Sequence, residues 1–133
     1  KKGNSKFISE EKHKSGKKNQ LSMSKGTLKK LREYGINEKS KLKLEYFFYT
    51  DSEEKAKKLS NELQSKLGYS SQFGLAAKSN NAYIVTGWTK KIQMHSKTVE
   101  KWISDMCDLG FDHDSEFDGW GTNPEQIGEQ ATE

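Results

Sequence analysis

The stretch 41-KLKLEYFFYTDSEEKAKKLSNELQSKLG-68 changes its hydrophobic period halfway along. In its first ten residues Leu42, Leu44, Tyr46 and Phe48 alternate with Lys43, Glu45, Phe47 and Tyr49. That is the two-residue period of a strand with an apolar inner face, and its outer face turns aromatic towards the end. From Asp51 the period becomes helical, with Ala56, Leu59, Leu63 and Leu67 on one face and lysines opposite. An Asp-x-x-Glu opening and acidic first turn suit the helix start, and Gly68 followed by Tyr69 suits its end. A strand that runs straight into an amphipathic helix indicates one α+β layer packing on another.

The rest of the chain extends this pattern. Residues 69–78 and 82–94 predict two strands around the turn composition 79-SNN-81. Ser96 is placed to cap a helix over 97–110, with Val99, Trp102 or Ile103, Met106 and Leu109 as its buried stripe and Gly110 as its stop. A last short extended piece is expected at 117-FDGWGT-122, and a short helix at 24–36 precedes the first strand. The order is β-α-β-β-α-β after that extra helix. It predicts an α+β ferredoxin-like sandwich, with an antiparallel sheet and both main helices on one face. The other sheet face is expected to be open, with Phe47, Tyr49 and Trp88 among its residues.

Residues 1–22 show no apolar periodicity and read as a flexible basic arm. The expected organisation is that arm, a single domain over 23–123, and an acidic tail over 124–133. Charge is strongly graded. Residues 1–32 carry eleven Lys or Arg against two Glu, and residues 105–133 carry nine Asp or Glu with no Lys or Arg. Such asymmetry points to a basic arm able to touch nucleic acid or an acidic partner, with a solvated tail as the plainer alternative.

Several function classes are excluded by composition. No apolar run approaches a membrane span, so no membrane association is expected. Cys107 is the only cysteine, which rules out an internal disulfide or a multi-cysteine zinc site. Its neighbours Trp102, Ile103 and Met106 predict a buried, inert thiol, and a lone cysteine suits a cytoplasmic location. A chain that begins with Lys is also compatible with a removed leader. Neither a P-loop nor a GxGxxG or GxSxG motif is present, and His13, His95 and His113 show no ligand spacing and are expected at the surface. No catalytic residue, metal or cofactor is expected.

The segment 112-DHDSEFDGWGTNPE-125 is the remaining candidate site. Counted from Asp114, it nearly fits a calcium loop. However, Glu116 is long for its position, Gly121 stands where an apolar residue belongs, and Pro124 occupies the start of the outgoing helix. Catalysis by paired carboxylates would need a dry pocket, and these acids alternate along a polar segment. The favoured reading is a short strand or turn that packs Phe117 and Trp120 on the sheet, with Asp118 accepting backbone hydrogen bonds to fix the turn and the acidity left on the surface.

Four elements together, 43-KLEYFFYTD-51, 68-GY-69, 87-GWT-89 and the closing 118-DGWGT-122, are similar to the regulator of ribonuclease E activity B family. The resemblance covers about residues 41–122, and Asp118, Gly119, Trp120, Gly121 and Thr122 are its most specific part. It implies a small ferredoxin-like domain acting as a protein inhibitor of an RNase E-like endoribonuclease, a role in RNA metabolism. The type member is acidic overall, whereas this chain has a basic N-terminal region and concentrates its acidity after residue 104. Partner contact is therefore expected at Asp112, Asp114, Glu116 and Asp118, with Trp120 as anchor or core. Two alternatives stay open: a nucleic-acid-binding module using the basic arm and the aromatic sheet face, and an immunity-type protein that neutralises a toxin enzyme.

Overall fold

A computed structural model describes residues 7–76 and 81–123. Helix α1 spans Glu10–Glu33, β1 Lys41–Thr50, α2 Glu53–Leu67, β2 Gln72–Leu75, β3 Tyr83–Gln93, α3 Ser96–Asp112 and β4 Glu116–Gly121. The fold is α+β: the described residues form three helices and one four-stranded sheet in the order β2-β3-β1-β4, with every neighbouring pair antiparallel. Among the described residues no helix is long and apolar enough to cross a membrane. Residues 1–6 of the expected arm, the expected tail at 124–133 and most of the turn at 79–81 lie outside the described residues.

The alternation in β1 is carried out in full. Leu42, Leu44, Tyr46, Phe48 and Thr50 are buried, while the residues between them are exposed or half-buried. Leu42, Leu44, Tyr46 and Phe48 form one core with Ala56, Leu59 and Leu63 of α2, Val85 of β3, and Val99, Ile103 and Met106 of α3. Gly68 ends α2 in the left-handed conformation, at φ 70°.

Two helices differ from expectation. α1 is a 24-residue helix beginning at Glu10, so residues 10–22 are helical and not a flexible arm. The inward side of its N-terminal half is polar, which hides the helix from a search for apolar periodicity. His13 is not a surface residue: its ring stacks on Phe111 at 4.3 Å, and its Nε2 lies 3.3 Å from Asp108. Lys17 pairs with the same carboxylate at 2.6 Å. Gln20 and Ser24 are buried, and only Leu28 and Leu31 enter the core as apolar residues. Ser9 caps the start by accepting from the Lys12 N–H, and Arg32 holds the end by donating to the Met94 carbonyl at 2.7 Å.

α3 is capped by the His95 ring, which accepts from the Lys97 N–H, and not by Ser96. It also runs past Gly110 to Asp112. Gly110 serves as a point of close approach instead of a left-handed stop, since a Cβ there would meet the Ser115 carbonyl at 2.8 Å and the Phe48 ring at 3.0 Å. The left-handed residue after the helix is Asp114, at φ 52°.

Candidate partner-binding face

The acidic segment follows α3 and becomes β4, the edge strand beside β1. Opposite Phe48 stands Phe117, and opposite Tyr46 stands Trp120. Two residues on β1 therefore face three on β4, and the register shifts between Phe47 and Phe48. An unbroken strand would send Phe117 and Trp120 to opposite faces, because they are three apart. The extra residue at Asp118–Gly119 is a β-bulge that brings both to the helix side. Gly119, at φ 139°, takes a conformation that side chains disfavour.

Both aromatics then pack edge-on against Trp102 of α3, at 5.9 and 6.1 Å between ring centres. Phe117 also lies 5.3 Å from Phe48. Trp120 is half-buried against the core. Thr122 closes the motif by donating to the Lys43 carbonyl at 2.8 Å. The Asp-Gly-Trp-Gly-Thr sequence thus lies in the extended piece expected at 117–122, as an edge strand in which Asp118 sits at a bulge and not in a turn.

The acids of this segment have separate fates. Asp114 points inward. Its carboxylate accepts from the backbone N–H groups of Phe7 at 2.8 Å and Ile8 at 3.0 Å, and from Lys55 Nζ at 2.5 Å. Its carbonyl accepts from the Thr50 hydroxyl. Burial alone would raise its pKa, but the Lys55 ammonium and the two backbone donors outweigh burial and hold it below the usual carboxylate value. Asp114 therefore ties the chain entering α1 to the start of α2.

Glu116 stands across from Tyr49, outside the core, with Lys12 at the long distance of 3.9 Å. Asp118 is exposed and lines a surface cavity of about 210 Å³ with Gln20, Met23, Phe47 and Trp120. Partial desolvation there raises its pKa. Asp112 is exposed at the end of α3. The calcium-like spacing is stretched along a strand, and among the described residues no group of three His, Cys, Asp or Glu comes together to hold a metal ion.

The side of the sheet away from α2 and α3 carries Glu45, Phe47 and Tyr49 of β1, cross-paired with Trp88, Thr86 and Ile84 of β3. Trp88 is 36% exposed. In the 87-GWT-89 segment, the residues flanking this tryptophan are structural. Gly87 lets the Tyr46 hydroxyl pass to donate to the Ser70 carbonyl at 2.6 Å. The Thr89 hydroxyl accepts from the Leu44 N–H and donates to the Lys90 carbonyl, stitching the register shift between β1 and β3.

The sequence reading grouped Asp114 with the surface acids, and no local signal separates them. The partners that engage it lie 59 to 107 positions away. Glu116 and Asp118 thus come together with Tyr49 and Phe47 of β1, whereas Asp114 and Trp120 belong to the frame.

Among curated proteins none matches the chain. A family model described as regulator of ribonuclease activity B matches residues 22–122, from the middle of α1 to the end of the bulged strand. With most of its length, including the whole sheet, inside that match, the chain belongs to the regulator of ribonuclease activity B family.

Proposed function

We propose that this protein is a non-enzymatic, protein-binding regulator that modulates an RNase E-like endoribonuclease in the cytoplasm. Its contact surface is the acidic and aromatic side of β4 and β1. Family membership supports regulation of a ribonuclease. The observation that carries the surface is the bulge at Asp118–Gly119, which keeps Phe117 and Trp120 inside while Glu116 and Asp118 stay outside, beside Phe47 and Tyr49. Aromatic anchors rimmed by carboxylates suit the basic, RNA-binding surface of a nuclease: the rings supply desolvated contact and the acids supply steering. Asp112 extends the acidic rim, and Asp114 is left out of the contact set because its carboxylate is engaged.

We read the fold as a ferredoxin-like sandwich with a preceding helix. The support is that β1 and β3 are central and each βαβ crossover skips one strand, as the split arrangement requires.

The test is a fluorogenic RNA-cleavage assay with the RNase E- or RNase G-type enzyme of the same source. Wild type is expected to inhibit in a dose-dependent way. The D112N/E116Q/D118N variant is expected to need about tenfold more protein, because three exposed charge pairs contribute roughly 0.5 kcal/mol each. Its inhibition should also depend less on salt. Equal potency of the variant would refute the acidic surface, and no inhibition by wild type would refute the target.

A further inference from the structure

α1 carries a feature that the acidic face does not use. At 100° per residue, Lys14, Lys18, Lys25 and Lys29 fall within about 60° of one another around the helix. They are spread over about 22 Å of its axis. All four are exposed, and none makes an ion pair among the described residues.

Most lysines of the other helices are arranged differently. On α2, Lys58 pairs with Glu54 and Lys66 with Glu62, and on α3 Lys101 pairs with Asp105. On α1, Lys14 and Lys18 are like charges four apart, as are Lys25 and Lys29. That spacing weakens a helix by a few tenths of a kcal/mol per pair. Acids stand only towards the ends of the row, at Glu10, Glu11 and Glu33.

The helix is also held in place. His13, Lys17, Gln20 and Ser24 face α3 and β4, Asp114 grips the chain before it, and Arg32 anchors its end. The lysine row is therefore a cationic edge on a helix docked to the rest of the fold. Lys14 and Lys18 precede the stretch matched by the family model, so half of the row is an addition to the family domain.

We infer that this row is a binding edge for the phosphate backbone of RNA, bound without regard to base sequence. A line of ammonium groups with no base-reading fork fits a polyanion and not a defined sequence. The choice of RNA among polyanions rests on the reading of the chain as a regulator of ribonuclease activity. On that reading the protein grips the RNA by α1 while β4 and β1 engage the nuclease.

The test uses the full chain and a labelled single-stranded 20-nucleotide RNA of mixed sequence, followed by fluorescence anisotropy across a salt series. The stripe variant is K14Q/K18Q/K25Q/K29Q. A control variant with the same loss of charge is K57Q/K58Q/K66Q/K101Q, built from exposed lysines of α2 and α3. Four phosphate contacts on a single strand contribute roughly 3 to the slope of log affinity against log salt. A fourfold rise in salt should then weaken wild type and the control about 50-fold, with most of that dependence gone from the stripe variant.

Equal losses in both variants would overturn the proposal and leave only net charge. Absence of RNA binding by wild type would overturn it too. So would equal binding of polyglutamate or of anionic phosphatidylserine vesicles through the same four lysines. The D112N/E116Q/D118N variant is expected to bind RNA as wild type does, so failure of the nuclease surface and failure of this edge are separable.

Discussion

Asp114→Asn isolates the tie between α1 and the rest of the fold. Asparagine is nearly isosteric and tolerates the left-handed backbone at φ 52°, so the change removes charge and one acceptor without adding backbone strain. The carboxylate now receives three donors, from Phe7, Ile8 and Lys55. Hydrogen bonds to a charged group contribute about 1.5–3 kcal/mol, and three sharing one carboxylate do not add. The amide keeps one acceptor and turns an N–H towards a donor, while Lys55 retains Asp51 at 2.8 Å. A net loss of about 2 kcal/mol follows, which is roughly 6–10 °C in Tm for a domain of this size.

Thermal unfolding followed by circular dichroism measures that loss, and amide hydrogen exchange locates it. Protection should fall mainly in the first turns of α1. Asp114 has a folded pKa below its unfolded value. Its contribution is therefore present above the unfolded pKa of about 4 and is lost as pH falls through the folded value. The gap between wild type and D114N should be full at pH 7 and shrink on acidification below about pH 4. A Tm within 1–2 °C of wild type at pH 7, corresponding to a surface substitution of about 0.5 kcal/mol, would refute the tie.

Two further outcomes follow from packing. Gly87→Ala should destabilise by about 3 kcal/mol or more, because the new Cβ would lie 2.0 Å from the Ser70 carbonyl and 2.7 Å from the Tyr46 hydroxyl; urea titration measures it, and a midpoint equal to wild type would refute the close approach. Cys107 is buried and desolvation pushes its pKa up to about 12, against a smaller lowering by Lys17, so Ellman's reagent at pH 8 should label it only after denaturation. Rapid labelling of the native protein would contradict that burial.

Much of the architecture is legible in local sequence because local periodicity reflects burial directly. The alternation of 41–50 and the 3.6-residue stripe of 53–67 each repeat at short range, so they identify β1 and α2 without knowledge of partners. The aromatics and glycines of the Asp-Gly-Trp-Gly-Thr ending identify the family for a similar reason: a bulged edge strand under Trp102 restricts what may stand at each position. The extended piece expected at 117–122 is β4, but its bulge at Asp118–Gly119 is not legible locally, since nothing within those six residues says that Tyr46 and Phe48 lie opposite.

The N-terminal half of α1 is the clearest case of the opposite kind. Gly16 and Asn19 are weak helix formers, and its inward positions are polar. The helix persists because Phe111 and Asp108 give those polar groups partners from the far end of the chain, while Asp114 holds the backbone just before it. The same distance explains Asp114, which in sequence is one acid among several. Sequence by itself determined the amphipathic elements, the family motif and the gradient of charge. Tertiary structure alone decided which acids stay outside, which one becomes a tie, and that residues 10–22 are helical and present lysines in a row. The physical reason is that burial periodicity is a property of neighbours along the chain, whereas the satisfaction of a polar group depends on whichever residues the fold brings to it.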